Sequence, residues 1–284
     1  MSEQQRVRTR GDLCPGVLRP WPADDGALVR LRLPGGRTTW GQLDALLAVA
    51  EEYGDGRVHL TSRANLQLRA LPGGDCLPGQ VVDSIVGTGL LPHPAHELVR
   101  NIMVSPLTGL VGSRADLGPV VTTLDEGLVA HPSLAGLPGR FLFVLDDGRG
   151  DLVERPLDLG CVAVSDTEAQ LRVGSQHWGP VVPLSEVAPR LVGLARAFLT
   201  VRGAGPGAAW HVDELPATPD ARPRDPRARV HAPPPEYGDL GRGLSHVPVP
   251  DGAVDRDLLE TLPREGLVVT PWRGLVTGLP AAAR

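Results

Sequence analysis

Two distant segments of the chain run through the same order of elements, and this repeat limits the fold more than any other feature. In the first, LVRLRLPGG (Leu28–Gly36) alternates apolar residues with Arg and ends in a Pro-Gly-Gly turn. TTWGQLDALLAVAEEYG follows, with Leu43, Leu46, Leu47 and Ala50 at helical spacing and Gly54 as a stop, and VHLTSRANLQLR (58–69) alternates again. In the second, LSHVPVPDG (Leu244–Gly252) is a strand with a turn, DRDLLETL a short helix and GLVVTPWRGLVTGLP a strand. Aligned on Thr61 and Thr270, the two copies share a nearby Arg (Arg63, Arg273) and a Leu five residues after the Thr (Leu66, Leu275). A duplicated βαβ unit predicts two small α+β layers.

Between the copies, GQVVDSIVGTGLL predicts a helix, RFLFVLDDG (Arg140–Gly148) a buried strand, VAVSDTEAQLRVG a two-strand meander and LSEVAPRLVGLARAFLTVR a long amphipathic helix. Residues 203–238 are rich in Gly, Pro and charge and read as a linker with little structure of its own. The expected organisation is a first half-domain over 11–72, a larger lobe over 73–202, the linker over 203–238 and a second half-domain over 239–284.

All 28 basic residues are Arg. Without Lys no Schiff base is possible, and every cation is a planar fork suited to carboxylates. Strand periodicity over 58–69 places Thr61, Arg63, Asn65, Gln67 and Arg69 on one face and Leu60, Leu66 and Leu68 on the other. That polar face is either a solvated sheet edge or a donor surface for a polyanion, and the stretch alone leaves both open. Arg100 and Asn101 interrupt the apolar LVRNIMVSPLTG, Arg140 leads into a strand of Phe, Leu and Val, and Arg273 stands beside Trp272 in TPWRG.

The net charge of −5 gives no pull toward nucleic acid or an anionic membrane surface. No apolar run approaches the roughly 20 residues of a membrane span, and MSEQQRVRTRGDLCPG has no apolar signal core, so a cytoplasmic location is expected. Cys14, Cys76 and Cys161 are far apart with no C-x-x-C, and are expected to be buried free thiols. His93 and His96 are flanked by Pro92 and Pro94, which argues against a helical metal pair, and no metal site is expected. Phosphate-loop, nucleophile-elbow and dinucleotide-fold motifs are absent from the sequence.

As an ordered set, GDLCPGVLRPWPADDGALVRLRLPGG, LTSRANLQLR, RNIMVSPLTG, LPGRFLFVLDDG and TPWRGL resemble the nitrite/sulfite reductase family, most closely its precorrin-3B synthase branch. The resemblance implies two ferredoxin-like half-domains flanking an α/β lobe of the sirohaem-reductase type, closed around an anionic tetrapyrrole. In the reductases of the family that tetrapyrrole is sirohaem next to a [4Fe–4S] cluster. In the synthase branch it is the substrate, a corrinoid precursor of cobalamin biosynthesis. Carried over, Arg140 and Arg100 become the catalytic residues, and Thr61, Arg63, Gln67, Arg69, Asn101 and Arg273 those that bind the tetrapyrrole. Arg140 stands where the family usually has Lys, and the reductases' second Lys is Leu142 here, which speaks against sulfite or nitrite reduction. The family's cluster cysteines, expected after the second half-domain, have no counterpart among the three cysteines. A second subunit carrying a Cys-rich lobe is therefore expected if the chain is catalytic. A non-catalytic tetrapyrrole-binding module and a truncated remnant are the alternatives.

Overall fold

A computed structural model of the protein describes residues 11–215 and 220–279. Its first half-domain contains β1 (Trp21–Ala23), β2 (Gly26–Leu31), β3 (Arg37–Thr39), α1 (Trp40–Tyr53), β4 (Val58–Leu60) and β5 (Leu66–Leu71). Helix α1 starts where the sequence supplies a capping box. The Thr39 hydroxyl accepts from the Gln42 amide at 3.1 Å, and the Gln42 side chain accepts from the Thr39 amide at 3.2 Å. Leu43, Leu46 and Leu47 then lie fully buried against the sheet, each worth roughly 1.5–3 kcal/mol of apolar burial.

The central lobe follows with α2 (Gly79–Gly87), β6 (Ile102–Val104), α3 (Gly118–Val129), β7 (Phe143–Asp146), β8 (Leu159–Ala163), β9 (Glu168–Val173), β10 (His177–Pro183) and α4 (Leu184–Val201). Its sheet runs β10-β9-β8-β7-β6, parallel from β6 to β8 and antiparallel beyond. Helices α3 and α4 cover one face through Leu124, Leu128, Leu191 and Phe198. The other face meets Ala228 of the segment between α4 and the second half-domain, and Trp272 of that half-domain. Within 203–238 the described residues form short 3-10 turns (Gly205–Gly207, Val212–Glu214, Pro226–Ala228), with Ala208, Ala209, Val212 and Ala228 buried.

The second half-domain holds β11 (Gly238–Gly241), β12 (Leu244–Pro248), β13 (Ala253–Val254), α5 (Arg256–Thr261), β14 (Gly266–Val269) and β15 (Gly274–Leu279). The two copies exchange their third strands. The first sheet runs β1-β2-β5-β4-β13 and the last β11-β12-β15-β14-β3, so each half completes the other's edge. The exchange leaves neither β4 nor β14 as an open edge. A hydrogen bond of 3.0 Å from Trp40 Nε1 to the Leu259 carbonyl joins the two copies at their helices.

Two expectations need correction. The alternation over 58–69 predicts one strand, but the chain turns back at Thr61–Asn65, and β4 and β5 pair as an antiparallel hairpin. The Thr61 amide donates to the Asn65 carbonyl, the Ala64 amide to the Thr61 carbonyl, and Ala64 takes a φ of 56°. The same turn recurs at 270–274, where Thr270 pairs with Gly274, the Arg273 amide donates to the Thr270 carbonyl and Arg273 takes a φ of 62°. Superposing the turns therefore matches Arg63 with Trp272 and Ala64 with Arg273, so the two arginines of the sequence repeat are not equivalent. The second correction concerns the thiols: Cys161 is buried, but Cys14 is half-buried and Cys76 exposed.

Candidate functional site

The hairpin turn makes the site. By reversing the chain at Thr61–Asn65, it pushes Ser62 and Arg63 out of the first sheet toward the central lobe. There they meet Arg140, in the turn just before β7, across a cavity of about 410 Å³. Arg30 of β2, the segment Asp12–Pro15 and Trp210 complete the lining. Arg63 Nη1 donates to the Arg140 carbonyl at 3.0 Å, which fixes the two walls relative to each other.

The support behind the turn is buried and polar. Asn65 Oδ1 accepts from the Leu33 amide at 2.8 Å, and Asn65 Nδ2 donates to Asn101 Oδ1 at 3.2 Å. Asn101 Nδ2 donates in turn to the carbonyls of Gly139, at 2.8 Å, and Leu98. Both Asn side chains are buried, so this chain of amides holds the Arg63 turn and the Arg140 turn in register. On the third side, Asp12 accepts from the Gly139 and Cys14 amides, and Glu97 accepts from the amides of Val17 and Leu18. Arg32 Nη1 donates to the Pro15 carbonyl at 2.5 Å. These contacts strap residues 12–18 across the cavity wall.

The cavity is strongly cationic. Arg30, Arg63 and Arg140 line it, and among the described residues none of the three forms an ion pair. The one acid in the lining, Asp12, has its oxygens turned to backbone amides. Burial lowers the pKa of Arg30 and Arg63, and neighbouring cations add to the effect, Arg63 acting on Arg30 and Arg140 on Arg63. Arg32, behind the wall, is held down to about 10 by burial first and by Arg30 second. Arg30 Nε and Arg32 Nε and Nη2 are buried without a hydrogen-bond partner among the described residues. Three guanidiniums that repel one another and form no ion pair among the described residues have the chemistry to accept an anion with several carboxylates.

The other expected residues fall elsewhere. Thr61 lines the cavity, but its hydroxyl accepts from the Arg63 and Asn65 amides and so shapes the turn. Gln67 accepts from Arg30 Nη2 at 3.2 Å and steadies that guanidinium. Arg69 pairs with Asp25 at 3.0 Å at the sheet's outer end. Arg100 is bound through Nε and Nη2 to Asp125 of α3, both at 2.6 Å, and is not among the residues that line the cavity. Asn101 sits behind the wall, and Arg273 is exposed on the second half-domain. Sequence reasoning passed over Arg30, Arg32, Asp12 and Trp210. Arg30 in β2 and Arg32 just after it, two residues apart, carried the same signal as 58–69, alternation of Arg with apolar residues along a strand.

The cysteines do not fit an iron–sulfur cluster. Cys161 lies inside β8 with its thiol raised by burial, and Cys14 borders the cavity with its thiol raised by burial and then by Asp12. Cys76 is exposed in the loop before α2.

Residues 22–76 match the family model of the nitrite/sulfite reductase ferredoxin-like half domain. The chain is 31% identical over 144 residues to a precorrin-3B synthase of Sinorhizobium sp, covering 49% of this chain and 29% of that protein. It is 31% identical over 212 residues to a ferredoxin–nitrite reductase of Leptolyngbya laminosa, covering 66% of this chain and 41% of that protein. The matches thus span less than half the length of either relative. In fold, 99% of the chain superposes on 61% of Mycobacterium tuberculosis NirA, with a TM-score of 0.64 at 15% sequence identity. Among the described residues no helix is long and apolar enough to cross a membrane.

Proposed function

We propose that the chain, whose residues 22–76 match the nitrite/sulfite reductase ferredoxin-like half domain, binds a polycarboxylated tetrapyrrole in its cationic cavity and is precorrin-3B synthase-like, acting on a corrinoid precursor. The observation that carries the reading is the convergence of Arg30, Arg63 and Arg140 on one hollow, where none of them forms an ion pair among the described residues. A tetrapyrrole of this class carries about eight carboxylates, and each well-placed charged hydrogen bond is worth roughly 1.5–3 kcal/mol. Arg63 and Arg140 would grip side arms from the two walls, Arg30 would hold them from the sheet, and Trp210 would cover the ring's edge. A bound iron or iron–sulfur centre would supply the redox chemistry, which Arg side chains cannot.

Position 142 favours the synthase branch over the reductases. Leu142 is buried in an apolar cluster with Met103, Val144, Leu152 and Trp272, so it offers no second cation to a small oxyanion. The three cysteines cannot supply the cluster ligands, and a second subunit that carries them is part of this proposal. By themselves the cysteines favour a second reading, a module that binds the tetrapyrrole without turning it over. Titrating the protein with uroporphyrin and following quenching of Trp fluorescence tests the site. Saturable binding weakened about 10–100-fold by Arg63→Ala, and again by Arg140→Ala, is expected. Equal affinities in wild type and both variants would remove the site. Turnover of a precorrin only after addition of an iron–sulfur partner separates the synthase from the binding module.

A further inference from the structure

The cationic lining of the cavity is interrupted by an exposed apolar side chain that the binding of acid arms does not use. Of the large hydrophobic side chains exposed among the described residues (Leu13, Leu18, Val86, Val201 and Tyr237), Leu13 alone lines the cavity. It is 46% exposed and shares that lining with Arg30, Arg63 and Arg140. Its backbone is fastened on both sides. Asp12 Oδ2 accepts from the Gly139 amide and Oδ1 from the Cys14 amide at 3.0 Å, while the Cys14 carbonyl accepts from Arg19 Nη2 at 3.1 Å. The Pro15 carbonyl accepts from Arg32 Nη1, and Val17 is buried in the core of the first half-domain. Gly139, next to Arg140, admits this close approach, since a Cβ there would come 2.8 Å from Cys14 Cβ. The strap therefore presents Leu13 at a fixed place near the Arg140 turn, with much of its side chain left in water.

We propose that Leu13 is a specificity-determining residue of the cavity, taking the hydrocarbon body of a ligand whose carboxylates go to the guanidiniums. The inference rests on the reading of the cavity as an anion receptor, and it narrows the ligand class to polyacids built on an apolar frame. Charged hydrogen bonds to Arg30, Arg63 and Arg140 do not separate such a ligand from a small hydrophilic polyanion, because both supply carboxylates. An apolar contact does separate them, since only a ligand with hydrocarbon surface can take Leu13 out of water. Trp210, from a distant segment, adds aromatic surface to the same lining. Salt screens the attraction to the guanidiniums but leaves the apolar contact in place. That difference distinguishes direct contact by Leu13 from an indirect role of the strap in placing the cations.

Titration of the full chain with uroporphyrin in about 0.05 M and about 0.5 M NaCl, followed by quenching of Trp fluorescence, tests this. Leu13→Ser is expected to weaken binding roughly 5–20-fold, by the same factor at both salt concentrations. Arg63→Ala should weaken it by a factor that shrinks at the higher salt. Leu13→Met keeps an apolar side chain of similar volume and should bind within about twofold of the wild type. The urea midpoints of the wild type and Leu13→Ser should coincide, because the exposed side chain adds little to folding. Unchanged affinity in Leu13→Ser, a loss that shrinks with salt in step with that of Arg63→Ala, or a Leu13→Met as weak as Leu13→Ser would overturn the proposal. A lowered urea midpoint in Leu13→Ser would overturn it too, by assigning Leu13 to packing. Absence of any uroporphyrin binding to the wild type, or full affinity in Arg63→Ala, would instead reject the cavity reading beneath it.

Discussion

A guanidinium facing a cleft without a carboxylate is poised for an anion, whereas one already gripped by a carboxylate is part of the scaffold. Arg63 and Arg100 represent the two cases. Arg63 uses one nitrogen to donate to the Arg140 carbonyl and leaves the rest of its fork toward the cavity. Arg100 spends its fork on Asp125, with the two side chains 9% and 20% exposed. Nothing in the sequence distinguishes them, because both are single Arg residues interrupting apolar segments. The distinction comes from α3, which brings Asp125 to Arg100 across 25 positions of sequence. Arg100→Met should therefore lower stability by roughly 1.5–3 kcal/mol in urea unfolding while leaving uroporphyrin affinity of the folded protein unchanged. A loss of affinity without a loss of stability would return Arg100 to the binding site.

At the scale of elements, the repeat of strand, turn, helix and strand was legible in the sequence, together with the Gly54 stop of α1 and the amphipathic α4. The hairpins were not. A two-strand reversal usually announces itself with Asn-Gly or Asp-Gly, and neither TSRAN nor TPWRG does so. Here the Thr hydroxyl does that work, accepting from the amide four residues on, while Ala64 and Arg273 adopt a positive φ that side chains rarely take. Reading through that turn puts Arg63 and Gln67 on one strand face, whereas the turn sends Arg63 to the lobe and leaves Gln67 beside Arg30. The Pro-Gly-Gly turn after β2 did announce itself, and its glycines are needed. Gly36 has a φ of 71°, and a Cβ there would come 2.4 Å from the Val269 carbonyl oxygen of the opposite half-domain. The equivalent Gly252, φ 68°, would meet only the flexible Arg273 side chain. Gly36→Ala should thus destabilise by well over 1 kcal/mol, and Gly252→Ala by about 1 kcal/mol, in paired urea titrations. Equal effects would show that the close approach of β14 to this turn is not held in solution.

Across the whole molecule, the reciprocal exchange of β3 and β13 makes the two half-domains one body, and the central lobe closes against it through Asn65–Asn101 and Arg63–Arg140. The cavity exists only because these units meet, which is why no single motif could reveal it. Segments separated by up to 198 residues, from Asp12 to Trp210, contribute its walls. The pseudo-symmetric counterpart is filled. His246 bonds to Thr270 at 3.1 Å and packs against the tilted ring of Tyr237 with centroids 4.4 Å apart, while Tyr237 donates to the Trp272 carbonyl. Duplication has thus left one open cationic hollow and one closed aromatic turn. A crystal structure with uroporphyrin bound tests the account most directly. It should show side-arm carboxylates on Arg30, Arg63 and Arg140, with the Asp125–Arg100 pair intact. A ligand seated against Arg273, or anywhere that leaves the Arg63–Arg140 hollow empty, would contradict it.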